Sequence, residues 1–183
     1  MKTGKPYVRP RVLLLALAAV FAADAAGLKY WVEPCERPAE KGCKSSDPDL
    51  AQWAMEAWQA ASAGKLSVER TGEKSKALIR IYWESGRVGL FGETRGGDVY
   101  VRPEPGDGLK REATVYLTCL HETGHALGLS HTANFEDIMY NFQYGGDIRE
   151  YFARYLRKLV RREDIRKFSG ISPNDQKRLA AGL

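Results

Sequence analysis

Residues 121–131 read His-Glu-Thr-Gly-His-Ala-Leu-Gly-Leu-Ser-His. On a helix, His121 and His125 stand at i and i+4, so both imidazoles leave the same face. Gly128 then permits a sharp reversal that a residue with a Cβ tolerates poorly. The reversal can carry His131 back under the helix as a third nitrogen donor. Three neutral imidazoles suit a zinc ion and leave one tetrahedral position open, the arrangement of a reactive rather than a closed structural site. The chain has 3 histidines, and all of them lie in this segment. Ordinary surface or core histidines would be scattered. Glu122, one position after His121, is placed to act as a base beside the metal rather than as a ligand.

His121-Glu-x-x-His125-x-x-Gly128-x-x-His131, followed by Asp137-Ile-Met139-Tyr140, resembles the metzincin signature with its downstream methionine turn. The residue after the third histidine separates the subfamilies. Here it is Thr132, close in chemistry to the serine usual in matrixins. Tyr140 directly follows Met139, as in many matrixins. Astacins and serralysins tend to place a tyrosine two residues after the methionine, where this chain has Asn141. The resemblance is therefore to small bacterial matrixin-like proteases. It extends over residues 28–144 and the last dozen, with its specific part at 121–140. It implies an α+β zincin-like catalytic domain, with a twisted, mostly parallel sheet packed on an N-terminal helix and the zinc helix, and a small C-terminal helical part.

The same resemblance implies one catalytic Zn2+ on His121, His125 and His131. It implies peptide-bond hydrolysis through a zinc-bound water, with Glu122 as general base. Gly128 and Met139 would support the site, Met139 as a hydrophobic floor beneath the imidazoles. The strand near Asp98–Val101 would be the sheet edge that pairs with an extended peptide or protein substrate. Tyr140–Tyr144 would wall the pocket beyond the scissile bond. Animal matrixins carry a second, structural zinc on further histidines, for which this chain has none to spare. Their inhibitory pro-segment cysteine also has no counterpart: Cys35 sits in Glu-Pro-Cys-Glu with little chain before it. Calcium-loop spacing is not found, so Ca2+ is not indicated.

Residues 1–25 read as a secretory signal. Lys2, Lys5, Arg9 and Arg11 precede a twelve-residue apolar run, Val12 to Ala23, and Ala23-Asp24-Ala25 fits a cleavage site. The run is too short to span a bilayer, which takes about 20 residues. A secreted or periplasmic domain over 26–183 is expected, long enough to bury a core. The full chain has net charge +5. Residues 1–25 carry +3 of that, so the remainder is only +2 and gives no ground for nucleic-acid binding. Oligomeric state is not legible. Cys35 and Cys43 lie in one loop of a chain read as exported, and a disulfide between them is one of two open readings. Cys119 points away from His121 on the helix and reads as a small buried apolar residue.

Along the chain, Leu28–Val32, Leu66–Arg70, Ala77–Trp83 and Asp98–Arg102 read as strands. A helix capped by Asp47, with Pro48 at its first position, buries Leu50, Trp53, Ala54, Ala57, Trp58 and Ala61 and stops near Gly64. The zinc helix is expected over about 110–127, with Gly124 allowing close approach to the sheet. Residues 147–168 read as one basic amphipathic helix, inserted before a last helix capped by Ser172. Its eight Lys/Arg against four Asp/Glu suit a packed helix with a solvated basic face. Contact with an anionic membrane surface is the alternative. A domain that holds metal and captures peptides without turnover is a further alternative for the whole chain.

Overall fold

The computed structural model describes residues 27–85 and 91–183. The signal-peptide reading of residues 1–25 lies outside them. The strands are β1 (Leu28–Val32), β2 (Val68–Arg70), β3 (Ile79–Trp83), β4 (Gly92–Arg95) and β5 (Asp98–Val101). The helices are α1 (Pro38–Lys41), α2 (Asp47–Ala61), α3 (Gly108–Ala126), α4 (Ile148–Leu156) and α5 (Pro173–Gly182).

The strands form one sheet in the order β2-β1-β3-β5-β4. Every pairing is parallel except β4 with β5. Strand alternation decides the core face. Tyr30, Val32, Ile79, Ile81, Trp83, Val99 and Val101 are buried on the side covered by α2 and α3. The result is the α+β layering expected from the sequence, with a mostly parallel sheet under two long helices.

Two buried contacts lock α2 to α3. Trp58 Nε1 donates to Leu120 O at 2.9 Å. Arg111 donates through Nη1 and Nη2 to the two carboxylate oxygens of Asp47 at 2.7 and 2.8 Å. Asp47 does not cap α2. Ser46 holds the cap position, while the Asp47 carboxylate is drawn to Arg111 and to the Lys44 N–H. Cys35 and Cys43 form a disulfide, and Cys119 is free and buried.

Three other expectations are corrected. Asp98–Val101 is not the sheet edge, because β5 lies between β3 and β4. The edge on that side is β4, a short strand whose glycine-rich lead conceals it in sequence. Residues 147–168 are not one helix: α4 ends at Leu156, and a separate 3-10 turn follows at Arg162–Arg166. Asp164 holds the separate turn, its Oδ2 accepting from the Val160 and Arg161 N–H groups that a continuous helix would have bonded internally. Gly124 does not serve approach to the sheet. A Cβ there would lie 2.5 Å from Met139 Sδ and 2.9 Å from Trp58 Cζ2, so the close neighbours are the methionine turn and α2.

Candidate metal centre and cleft

His121 and His125 project from the last two turns of α3, and Leu127 caps its C-terminus. Gly128 follows with φ of +91°, a conformation that suits glycine. The reversal returns His131 to the other two imidazoles. One ligand atom from each ring lies within 4.8 Å of the others. Nε2 of His131 is 3.0 Å from Nε2 of His125 and 3.2 Å from Nε2 of His121. Among the described residues this is the one cluster of three or more such donors.

The far sides of the rings are held as well. Nδ1 of His121 donates to Ile138 O at 2.7 Å, and Nδ1 of His125 donates to Leu129 O at 2.8 Å. A carbonyl can only accept, so both rings carry their proton on Nδ1 and present bare Nε2 lone pairs. Burial pushes the His121 pKa down to about 4, with help from the neighbouring imidazoles, and so keeps the ring neutral. Burial, followed by the effect of His125, also lowers that of His131. Neutral rings whose Nε2 atoms converge, two of them with bare lone pairs, fit a zinc ion.

Glu122 is buried beside these rings. Loss of water pushes its carboxyl pKa up to about 7, a shift that the Thr94 hydroxyl and then Arg102 moderate. Thr94 Oγ1 lies 2.8 Å from Glu122 Oε2 and equally close to Glu122 O. Thr94 sits on edge strand β4, which comes this near because Gly92 has no side chain. A Cβ at Gly92 would be 2.8 Å from Glu122 Cγ. Sequence reasoning missed Thr94 and Gly92, since a lone hydroxyl and one glycine among many carry no signal without the strand pairing.

Met139 is fully buried. It packs under Gly124, while its backbone oxygen accepts from the Thr132 N–H at 2.9 Å. The Met139 turn is fixed from behind by two buried carboxylates. Asp175 Oδ2 accepts from the Ile138 N–H, and Asp137 accepts from the Ser172 hydroxyl and the Asn174 amide. Tyr151 of α4 donates its hydroxyl to Asp137 O.

A cavity of about 450 Å³ opens beside His121 and Glu122. Leu117, Tyr140, Phe142, Tyr151 and Phe152 give it apolar walls. Tyr140–Gln143 line it as expected, whereas Tyr144 is 63% exposed. The unexpected walls, Tyr151 and Phe152, come from α4.

A family model described as Matrixin matches residues 52–151, just over half of the chain. No curated protein matches. Among solved structures, archaemetzincin from Methanopyrus kandleri is similar at 13% identity, covering 86% of this chain and 96% of that one, with a TM-score of 0.50. A zinc-dependent peptidase from Methanocorpusculum labreanum (strain Z) covers 84% of this chain and all of its own, at 13% identity and a TM-score of 0.44. Identity this low bears on the fold alone.

Proposed function

The chain belongs to the matrixin family, a group of metzincin-type zinc peptidases, and from that premise we propose that it is an exported zinc endopeptidase with Glu122 as its general base. The observation that carries this reading is the convergence of the His121, His125 and His131 Nε2 atoms beside a buried carboxylate, at the mouth of an apolar cavity.

The three histidines would hold the metal. When bound, zinc supplies a Lewis acid for a peptide carbonyl and lowers the pKa of a water. The chain's own residues do the rest. Glu122 Oε2 is engaged by Thr94, which leaves Oε1 to take a proton from water and hand it to the leaving amine. Burial raises the proton affinity of this carboxyl, which favours taking a proton up. The outer edge of β4 offers main-chain groups to an extended peptide. The cavity accepts a large apolar side chain beyond the cleaved bond, with Phe142 and Phe152 in its walls. The Cys35–Cys43 disulfide supports export, since such bonds persist in oxidising compartments.

The membrane-surface alternative loses support because most cations of residues 147–168 are paired within the chain. Arg154 meets Glu136, Arg157 meets Glu150, Arg162 meets Glu112, Arg166 meets Glu56 and Lys167 meets Asp164. A binding role without turnover would not need a buried carboxylate held in place at Glu122.

The test is zinc content and peptide cleavage of the parent and Glu122→Gln. The variant is expected to keep its zinc and to lose about 10²- to 10⁴-fold in cleavage rate, the usual contribution of a general base. A variant that cuts at the parent rate removes Glu122 from the mechanism. A parent that binds no zinc ends the proposal.

A further inference from the structure

The three imidazoles are not held alike. His121 and His125 each meet a backbone carbonyl, which fixes their tautomer. His131 Nδ1 instead lies 3.0 Å from Nδ2 of Asn141. A side-chain amide can serve a ring nitrogen in either sense, donating through nitrogen or accepting through oxygen. Asn141 is held in reach whichever sense is used, because its backbone N–H donates to Thr132 O at 3.1 Å, next to His131.

Two complete hydrogen-bond arrangements follow. In the first, Asn141 Oδ1 accepts from the Gln143 N–H at 2.9 Å and Nδ2 donates to His131 Nδ1. The His131 proton is then on Nε2, within 3.0 and 3.2 Å of two acceptor nitrogens, Nε2 of His125 and of His121. In the second, Asn141 is turned half a revolution, and Oδ1 accepts from a proton on His131 Nδ1. All three Nε2 lone pairs are then free. Only the second can hold a metal, since a protonated Nε2 has no lone pair to give.

We propose that Asn141 is the positioning residue of His131, and that its amide turns over to select the tautomer that completes the zinc site. The inference rests on the zinc reading above. The proton balance is closed: His131 releases one proton from Nε2 to solvent and takes one at Nδ1, so the ring stays neutral. The cost of the second arrangement is the Gln143 N–H, which loses its side-chain acceptor. An aspartate would avoid that cost, because it has an oxygen to offer on each side.

Zinc affinity, read by competition with a chromophoric chelator, tests this in the full chain. Asn141→Ser still accepts from Gln143 but is too short to reach His131, and Asn141→Leu fills the space without either bond. Both are expected to weaken zinc binding by about 10- to 100-fold, the range for partners of metal-bound histidines. Asn141→Asp is expected to bind at least as tightly as the parent. Matching melting curves of the zinc-free proteins would exclude a folding defect. In ¹⁵N spectra, the His131 proton should sit on Nε2 without zinc and on Nδ1 with it. Serine and leucine variants within about threefold of the parent overturn the assignment, as does an aspartate variant that binds more weakly. A parent that binds and cleaves while the serine variant matches it sinks this inference alone. A parent that binds no zinc sinks the functional reading first.

Discussion

Gly124 lies between His121 and His125 on α3, where alanine would favour the helix by about 1 kcal/mol. A methyl there would nonetheless lie 2.5 Å from Met139 Sδ and 2.9 Å from Trp58 Cζ2. Both are fully buried, and Trp58 is tied to Leu120 O. Overpacking of this kind costs about 1–3 kcal/mol, so it outweighs the helix gain. Gly124→Ala is therefore expected to be less stable than the parent by about 1 kcal/mol, read from denaturant midpoints. A more stable variant would show that Met139 does not press on the helix. The glycine was visible in sequence, but its reason was not, because Met139 and Trp58 reach it only in the folded chain. The grouping of the three histidines was legible for the opposite reason. Few side chains can hold zinc or move a proton beside it, and their spacing within one helix and one turn is fixed locally. Thr94 and Asn141 act through partners on other segments, so their side chains gain meaning only from the pairing of β4 and the return of the chain past Met139.

The sequence between α4 and α5 shows why elements are harder to bound than to find. Its apolar period suggested one helix, yet Val160 is 90% exposed and the helix has already ended. Periodicity registers which residues can face a core. It does not register a carboxylate that reaches back to take two backbone N–H groups. Asp164 does this, and its other oxygen accepts from Lys167. The Lys167 contact and the two backbone bonds hold its carboxyl at about 2, below its ordinary 3.8. A depressed carboxyl stabilises the fold while ionised. The contribution is complete above pH 3.8 and is lost as pH falls toward about 2. Parent melting temperature should therefore fall more steeply from about pH 4 to 2 than that of Asp164→Asn, which has no proton to gain there. Parallel curves would show that the turn is held by something else. β4 failed to read as a strand for a related reason. Gly92-Glu-Thr-Arg95 has little β propensity, and its place comes from pairing with β5 and from the room Gly92 leaves beside Glu122.

At the scale of the molecule, stability and chemistry sit at opposite ends of α3. Arg111, in its first turns, binds Asp47 of α2 and also donates to Gly42 O at 3.2 Å. Gly42 precedes Cys43, so the disulfide loop is fastened to the joint between the two long helices. Bonding Cys35 to Cys43 closes a loop with a sequence separation of 8. Chain entropy assigns such a crosslink about 2–3 kcal/mol. Replacing both cysteines with serine is therefore expected to lower the melting temperature by about 5–10 °C for a domain of this size. The metal end should not feel it. His121 lies ten residues along the helix from Arg111, about 15 Å at the helical rise, and effects that far apart add independently unless a shared element shifts. The proposed zinc site has its own supports in the Met139 turn, α4 and α5, through Tyr151 and Asp175. The double serine variant should thus unfold earlier yet bind zinc with parent affinity when measured well below its transition. If affinity falls with stability, α3 transmits strain from one end to the other, and the independence of fold support and metal site fails.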